Sequence, residues 1–123
     1  MIPARLFYVL VFLGLFASVC ELRGQEAQDS VYAVLAGMDD KEQAEYINDH
    51  FFAIHSRSAA LAIELGEKAL VLAEKNQWTR LEAQTRKNLG VAHYLEGNYP
   101  QALLYYQTAL DLFELAGDPS GQG

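Results

Sequence analysis

His50, His55, His93, Cys20 and Ser56 are the side chains from which metal or nucleophilic chemistry would have to start in this 123-residue chain. His50 and His55 are five residues apart, which on a helix turns them about 140° from each other and excludes a metal site made by that pair alone. Cys20 is the only cysteine, so neither an internal disulfide nor a multi-thiolate site is available. Ser56 adjoins His55 in sequence and has no third group to complete a nucleophilic relay. Asp39-Asp40 has the charge for a cation. Placed just before Lys41, it reads more simply as the cap and first-turn charge of a helix. Tyr105-Tyr106 could stack on bases, but no basic groove accompanies it, and no basic cluster exceeds Arg86-Lys87. A glycine-rich phosphate loop, a nucleophile elbow and a zinc-hydrolase motif are all missing from the sequence. The expectation is therefore no catalysis, no cofactor, no metal and no nucleic-acid partner.

The first twenty residues carry one positive charge, Arg5, and then the apolar run of residues 6–20, LFYVLVFLGLFASVC. Small Ser18 and Cys20 precede Glu21 in the places a signal peptidase reads, so residues 1–20 form a signal peptide. Glu21 and Arg23 arrive too early for a spanning helix, which needs about 20 apolar residues. Lipidation of Cys20 is the weaker alternative because Val19, directly before it, is not small; an uncleaved anchor is the third. The mature chain is thus expected outside the cytoplasm, periplasmic or otherwise extracytoplasmic. It carries 8 basic against 16 acidic side chains. Anionic lipid repels such a surface, leaving the leader as its one route to a membrane.

The elements of the body follow from apolar spacing. Residues 21–28, ELRGQEAQ, show no periodicity and read as a flexible lead-in. Asp29 or Ser30 would cap a short helix bearing Val31, Val34 and Leu35, closing the lead-in region at residues 21–40. From Lys41 to His55, Ala44, Ile47, Phe51 and Ile54 lie at offsets of 3, 4 and 3 and form one helical stripe. Ser58 caps a third helix that runs to Lys75 and is broken at Asn76-Gln77; a fourth spans Arg80 to Leu95. Gly97 ends the fourth, and Pro100 sits in the first turn of a fifth, where its missing N–H costs nothing. No window alternates with period two, so the fold class is all-α.

The informative pattern is repetition. Residues 62–74 set beside 102–114 pair Ala62 with Ala102, Ile63 with Leu103, Ala69 with Ala109, Leu70 with Leu110, Leu72 with Leu112 and Glu74 with Glu114. Alanines seven residues apart share one face and let a neighbouring backbone approach closely. Helix hairpins with a shared packing code stack into a solenoid, because one hairpin alone cannot bury both apolar faces.

Residues 83–116 closely resemble one tetratricopeptide repeat. Leu89-Gly90 stand in the contact positions of its first helix, Gly97 and Tyr99 in its turn, and Ala102, Tyr106 and Ala109 in its second helix. Arg86, His93 and Glu114 depart from the motif. Residues 43–76 resemble a degenerate preceding unit, with His50 in the Gly90 place and Gly66 in the Tyr106 place. The resemblance implies antiparallel hairpins stacked as a right-handed solenoid over residues 41–116, with first helices lining a concave groove for a protein or peptide partner. Carried onto this chain, the groove positions are Gln84, Lys87, Val91, Tyr94 and Leu95. The carboxylate clamp known in the family is doubtful, since Lys87 is followed four residues later by Val91 rather than asparagine.

Residues 117–123 are similar to the loop that joins consecutive 40-residue repeats, and no polar capping helix follows the fifth helix. The chain is therefore expected to be a piece of a longer protein. Its arrangement resembles the extracytoplasmic sensor region of bacterial membrane signalling proteins. The expected function is non-enzymatic protein interaction, with a self-assembling scaffold, joined through the uncapped last helix, as the alternative.

Overall fold

The computed structural model describes residues 3–117, with the backbone alone for residues 7, 10, 12–24 and 27. Among them are six helices and no strand: α1 (Ala4–Leu35), α2 (Asp40–Asp49), α3 (Phe51–Arg57), α4 (Ala59–Lys75), α5 (Thr79–Leu95) and α6 (Tyr99–Leu115). The first hairpin sets α2 and α3 against α4; the second sets α5 against α6. α4 packs on α5 between the hairpins, and the two leading helices, α2 and α5, also touch. This is the stacked antiparallel hairpin architecture expected from the repetition.

Local signals account for several helix ends. Asp39 caps α2 by accepting a hydrogen bond from the Glu42 backbone N–H at 2.9 Å, and that bond holds its carboxyl below the usual carboxylate range. Ser58 caps α4 by accepting from Leu61 N–H at 3.2 Å. At the end of α5, Gly97 takes φ 80°, its N–H donates to Tyr94 O, and the Asn98 N–H donates to His93 O at 2.9 Å, so the last carbonyls find partners. The α4–α5 turn repeats this geometry with Gln77 at φ 57°, a conformation that opposes its Cβ.

Two expectations are corrected. Residues 21–28 are helical rather than a flexible lead-in, and neither Asp29 nor Ser30 starts a helix, because α1 runs unbroken from Ala4 to Leu35. Gln25, Glu26 and Gln28 within it are exposed, so no packed apolar stripe marks these positions. Glutamate, leucine, arginine, glutamine and alanine are good helix formers without such packing. The expected single helix from Lys41 to His55 is divided at His50, where φ is −106° and ψ 9°. Its stripe nevertheless survives across the break, and Ala44, Ile47, Phe51 and Ile54 are all buried. The expected loop at residues 117–123 lies outside the described residues except for Gly117. Among the described residues no helix is long and apolar enough to cross a membrane.

The last turns of α1 close the outer side of the first hairpin. Leu35 is 1% exposed; its carbonyl accepts the Met38 N–H at 3.0 Å, and Gln43 Nε2 donates to Leu35 O at 3.1 Å and to Met38 O at 3.0 Å, tying the chain after the helix end to α2. Tyr32 donates its hydroxyl to Glu64 Oε1 at 3.0 Å. The core then runs from Leu35 through Ile47, Phe51, Leu61 and Leu65 to Leu89 and Ala92, and a smaller cluster of Ala83, Ala109 and Phe113 serves the second hairpin. Ala62, Ala69, Ala102 and Ala109 are buried as their spacing requires.

Candidate protein-interaction surface

The first-helix face is built along the seam of α2 and α5. Asn48 Nδ2 donates to Thr85 Oγ1 at 2.8 Å and to Ala44 O at 3.0 Å; Asn88 Nδ2 donates to Asn48 Oδ1 at 2.9 Å; Thr85 donates its hydroxyl to Leu81 O at 2.7 Å. All three side chains are buried. Buried amides must be hydrogen-bonded, so this ladder fixes the register of one leading helix on the next. Sequence reasoning missed it, although Asn48 and Asn88 stand at the same offset of 40 as the alanines.

At the N-terminal ends of both helices the seam opens into a cleft of about 400 Å³, lined by Lys41, Glu45, Trp78, Arg80 and Gln84 among others. The Lys41 ammonium lies 5.8 Å from the centre of the half-buried Trp78 ring, within cation–π range. An aromatic floor flanked by two cations, an acid and an amide can hold both an apolar and a charged side chain of a bound segment.

The expected groove positions fall into two places. Gln84, Lys87, Val91 and Tyr94 recur at offsets of 3, 4 and 3 along α5 and so share one stripe. Gln84 is exposed and lines the cleft, Lys87 is exposed, and Val91 is half-buried. Tyr94, 54% exposed, lies at the other end of the stripe with its ring 5.3 Å from that of Tyr99, across the turn to α6; Leu95 beside it is 60% exposed. Tyr94 and Leu95 therefore adjoin the tip of the second hairpin, away from the α2–α5 cleft.

Of the residues assigned to packing, Gly90, Ala102, Tyr106 and Ala109 lie within the second hairpin, whereas Leu89 turns to Gly66 of the first and Gly97 has no neighbour at its Cβ position. A Cβ added to Gly90 would stand 2.8 Å from two ring carbons of Tyr106, so only glycine admits that ring without a shift. Burial raises the Tyr106 phenol above its ordinary range, and the neighbouring Tyr94 adds to the shift. Leu89, Ala102 and Ala109 are buried; Tyr99 is 60% exposed at the start of α6.

The histidines are occupied by packing. His50 stacks on Tyr46 at 4.0 Å, His55 on Phe51 at 6.5 Å and His93 on Tyr105 at 5.5 Å. Ser56 donates its hydroxyl to Ala53 O at 2.8 Å. Among the described residues no group of three histidines, cysteines or acids could hold a metal ion.

No curated protein and no solved structure matches the chain significantly. Residues 83–114, which hold most of α5 and of α6 together with Gly90, Gly97, Ala102, Tyr106 and Ala109, match the family model of the tetratricopeptide repeat. An all-helical stack of hairpins with such a unit in it is consistent with a non-enzymatic module for protein–protein interaction.

Proposed function

We propose that this chain is the interaction module of an exported protein and that its α2–α5 face receives an extended segment of a protein partner. The observation that carries the reading is the buried Asn48–Thr85–Asn88 ladder, which holds two leading helices in register and opens beside it the Trp78 cleft and the Gln84 stripe. A rigid face of this kind offers a broad groove rather than a deep pocket, as suits a peptide or a partner's loop. Selection of peptides from a displayed library on the purified chain tests it. Recovered peptides are expected to lose roughly fivefold or more in affinity on Lys41→Ala or Gln84→Ala, the loss of a contact worth about 1 kcal/mol. Peptides indifferent to both substitutions would refute it, and dependence on Tyr94→Ala alone would move the site to the tip of the second hairpin.

Export rests on Arg5, the apolar residues 6–20 and the small residues before Glu21. Mass spectrometry of the processed chain decides it: an N-terminus at Glu21 means cleavage and a diacylglycerol on Cys20 means lipidation, whereas an intact soluble Met1 chain in the cytoplasm removes the proposal. Within this reading the module serves as the periplasmic sensor region of a membrane signalling protein. One observation favours a second reading, self-assembly. Leu103, Leu110 and Leu115 on α6 are 56%, 43% and 77% exposed. Concentration-dependent dimers in sedimentation, with no peptide recovered, would replace the first reading by this one.

A further inference from the structure

α1 meets the first hairpin through its last turns, where Leu35 is buried and Tyr32 holds Glu64. The leading helix of that hairpin changes course at His50, whose backbone leaves the helical region, and α3 continues from there packed on α4. Between α1 and α3 a cavity of about 320 Å³ is left, at the small end of the ~300–1,000 Å³ typical of ligand pockets. Its lining is apolar: Val31 and Val34 from α1, Ala53 and Ile54 from α3, and Leu61 from the first turn of α4. Ile54 and Leu61 are buried, and the small, exposed Ala53 leaves the space open to solvent.

The border of the cavity is polar and of one sign. Ser30, His50, Ser56 and Arg57 stand on it, and none of the described residues that line it is acidic, in a chain with 16 acidic against 9 basic side chains. His50 Nδ1 donates to Tyr46 O at 3.0 Å and its ring stacks on that of Tyr46 at 4.0 Å, so the imidazole is held as a fixed wall. The Ser56 hydroxyl proton is already spent on Ala53 O. Arg57 is exposed and makes no ion pair among the described residues, which leaves its guanidinium free to donate. The first turn of α4 also lacks an acid, so the positive end of that helix adds to the same sign.

An apolar floor with a single guanidinium at its mouth matches a molecule that has a hydrocarbon body and one negative charge at its end. We propose that this cavity binds a small apolar monocarboxylate, its carboxylate paired with Arg57 and its hydrocarbon laid against Val31, Val34, Ile54 and Leu61. A phosphate monoester carries a second charge for which the described lining has no second formal cation. Because α1 and α3 supply opposite walls, the occupant ties the N-terminal helix to the first hairpin.

The cavity shares no described lining residue with the Trp78 cleft, so either proposal can fail while the other stands. Octanoate is the probe, titrated by calorimetry into the full chain. Octanamide, which keeps the hydrocarbon and lacks the charge, is expected to bind at least about fivefold more weakly. Arg57→Gln should weaken octanoate by about fivefold or more, and Ala53→Leu, which pushes a larger side chain into the space, should weaken both compounds to a similar degree. Circular dichroism checks that the helices remain; Arg57→Gln alters only an exposed side chain and keeps the test standing if Ala53→Leu does not fold. Absence of octanoate binding, equal binding of octanamide, or indifference to Arg57→Gln overturns the proposal, as does a folded Ala53→Leu chain that binds as before. Tighter binding of octyl phosphate than of octanoate would overturn the assignment to a carboxylate.

Discussion

The two hairpins share one packing code and place its gap on opposite helices. In the first, the glycine is Gly66 on the trailing helix, and Phe51 and Leu89 fill the space beside it. In the second, the glycine is Gly90 on the leading helix, and Tyr106 fills it. The exchange is reciprocal at the 40-residue offset: His50 and Gly66 in one unit, Gly90 and Tyr106 in the other. His50 nevertheless does not fill the space at Gly66: it is exposed and stacks on Tyr46, and the buried Phe51 and Leu89 close that gap instead, as close packing demands. The difference has a further effect. Gly66 leaves room for a residue of the next hairpin and so binds the stack together, whereas Tyr106 spends its ring on its own hairpin and leaves a flatter outer face.

The largest expected effect strikes the joint between the hairpins. Leu89→Ala removes a fully buried side chain that fills the Gly66 notch and should lower unfolding stability by about 2–5 kcal/mol in denaturant titrations. A loss under about 1 kcal/mol would mean that the hairpins are not joined there. A smaller effect compares the two gaps directly. Gly90→Ala should cost about 1–2 kcal/mol net, because the new Cβ meets the Tyr106 ring with the Ala102 carbonyl oxygen 3.4 Å away. Gly66→Ala should cost at least as much, up to about 3 kcal/mol, because its Cβ meets Leu89 Cδ2 at 2.7 Å and Phe51 Cε2 at 3.0 Å, and both of those side chains are fully buried whereas Tyr106 is half-buried. If Gly90→Ala is clearly the more damaging of the two, the second hairpin is the tighter one and the comparison is reversed. The smallest effect lies in the turn between the units, where Gln77→Gly relieves a left-handed residue and should raise stability by about 1 kcal/mol, measured as a higher denaturation midpoint. An unchanged or lower midpoint would show that the Gln77 conformation carries no strain.

Much of the fold was legible because its signals are local. The caps at Asp39 and Ser58, the stop at Gly97 with Pro100 after it, and the stripe from Ala44 to Ile54 all act within a few residues of themselves. Of the interaction surface, only the α5 stripe could be read in advance. The buried ladder joins Asn48 to Thr85 and Asn88 across two helices, and Trp78 and Lys41 meet only when α2 and α5 lie side by side. The apparent irregularity of residues 21–28 misled because the absence of an apolar stripe is not the absence of a helix: glutamate, leucine, arginine, glutamine and alanine favour that conformation without one.

By itself, the sequence determined that the chain is helical, where most helices stop, that a 40-residue unit recurs, and which alanines face a neighbour. Each follows from backbone conformation and apolar spacing, which are settled within a turn or two of helix. Only the tertiary structure decided that Gln43 closes the end of α1, that Leu89 enters the notch at Gly66, and which stretch of each helix remains exposed. Those outcomes depend on close packing between segments tens of residues apart, where the room left by one side chain is set by another that no local pattern connects to it.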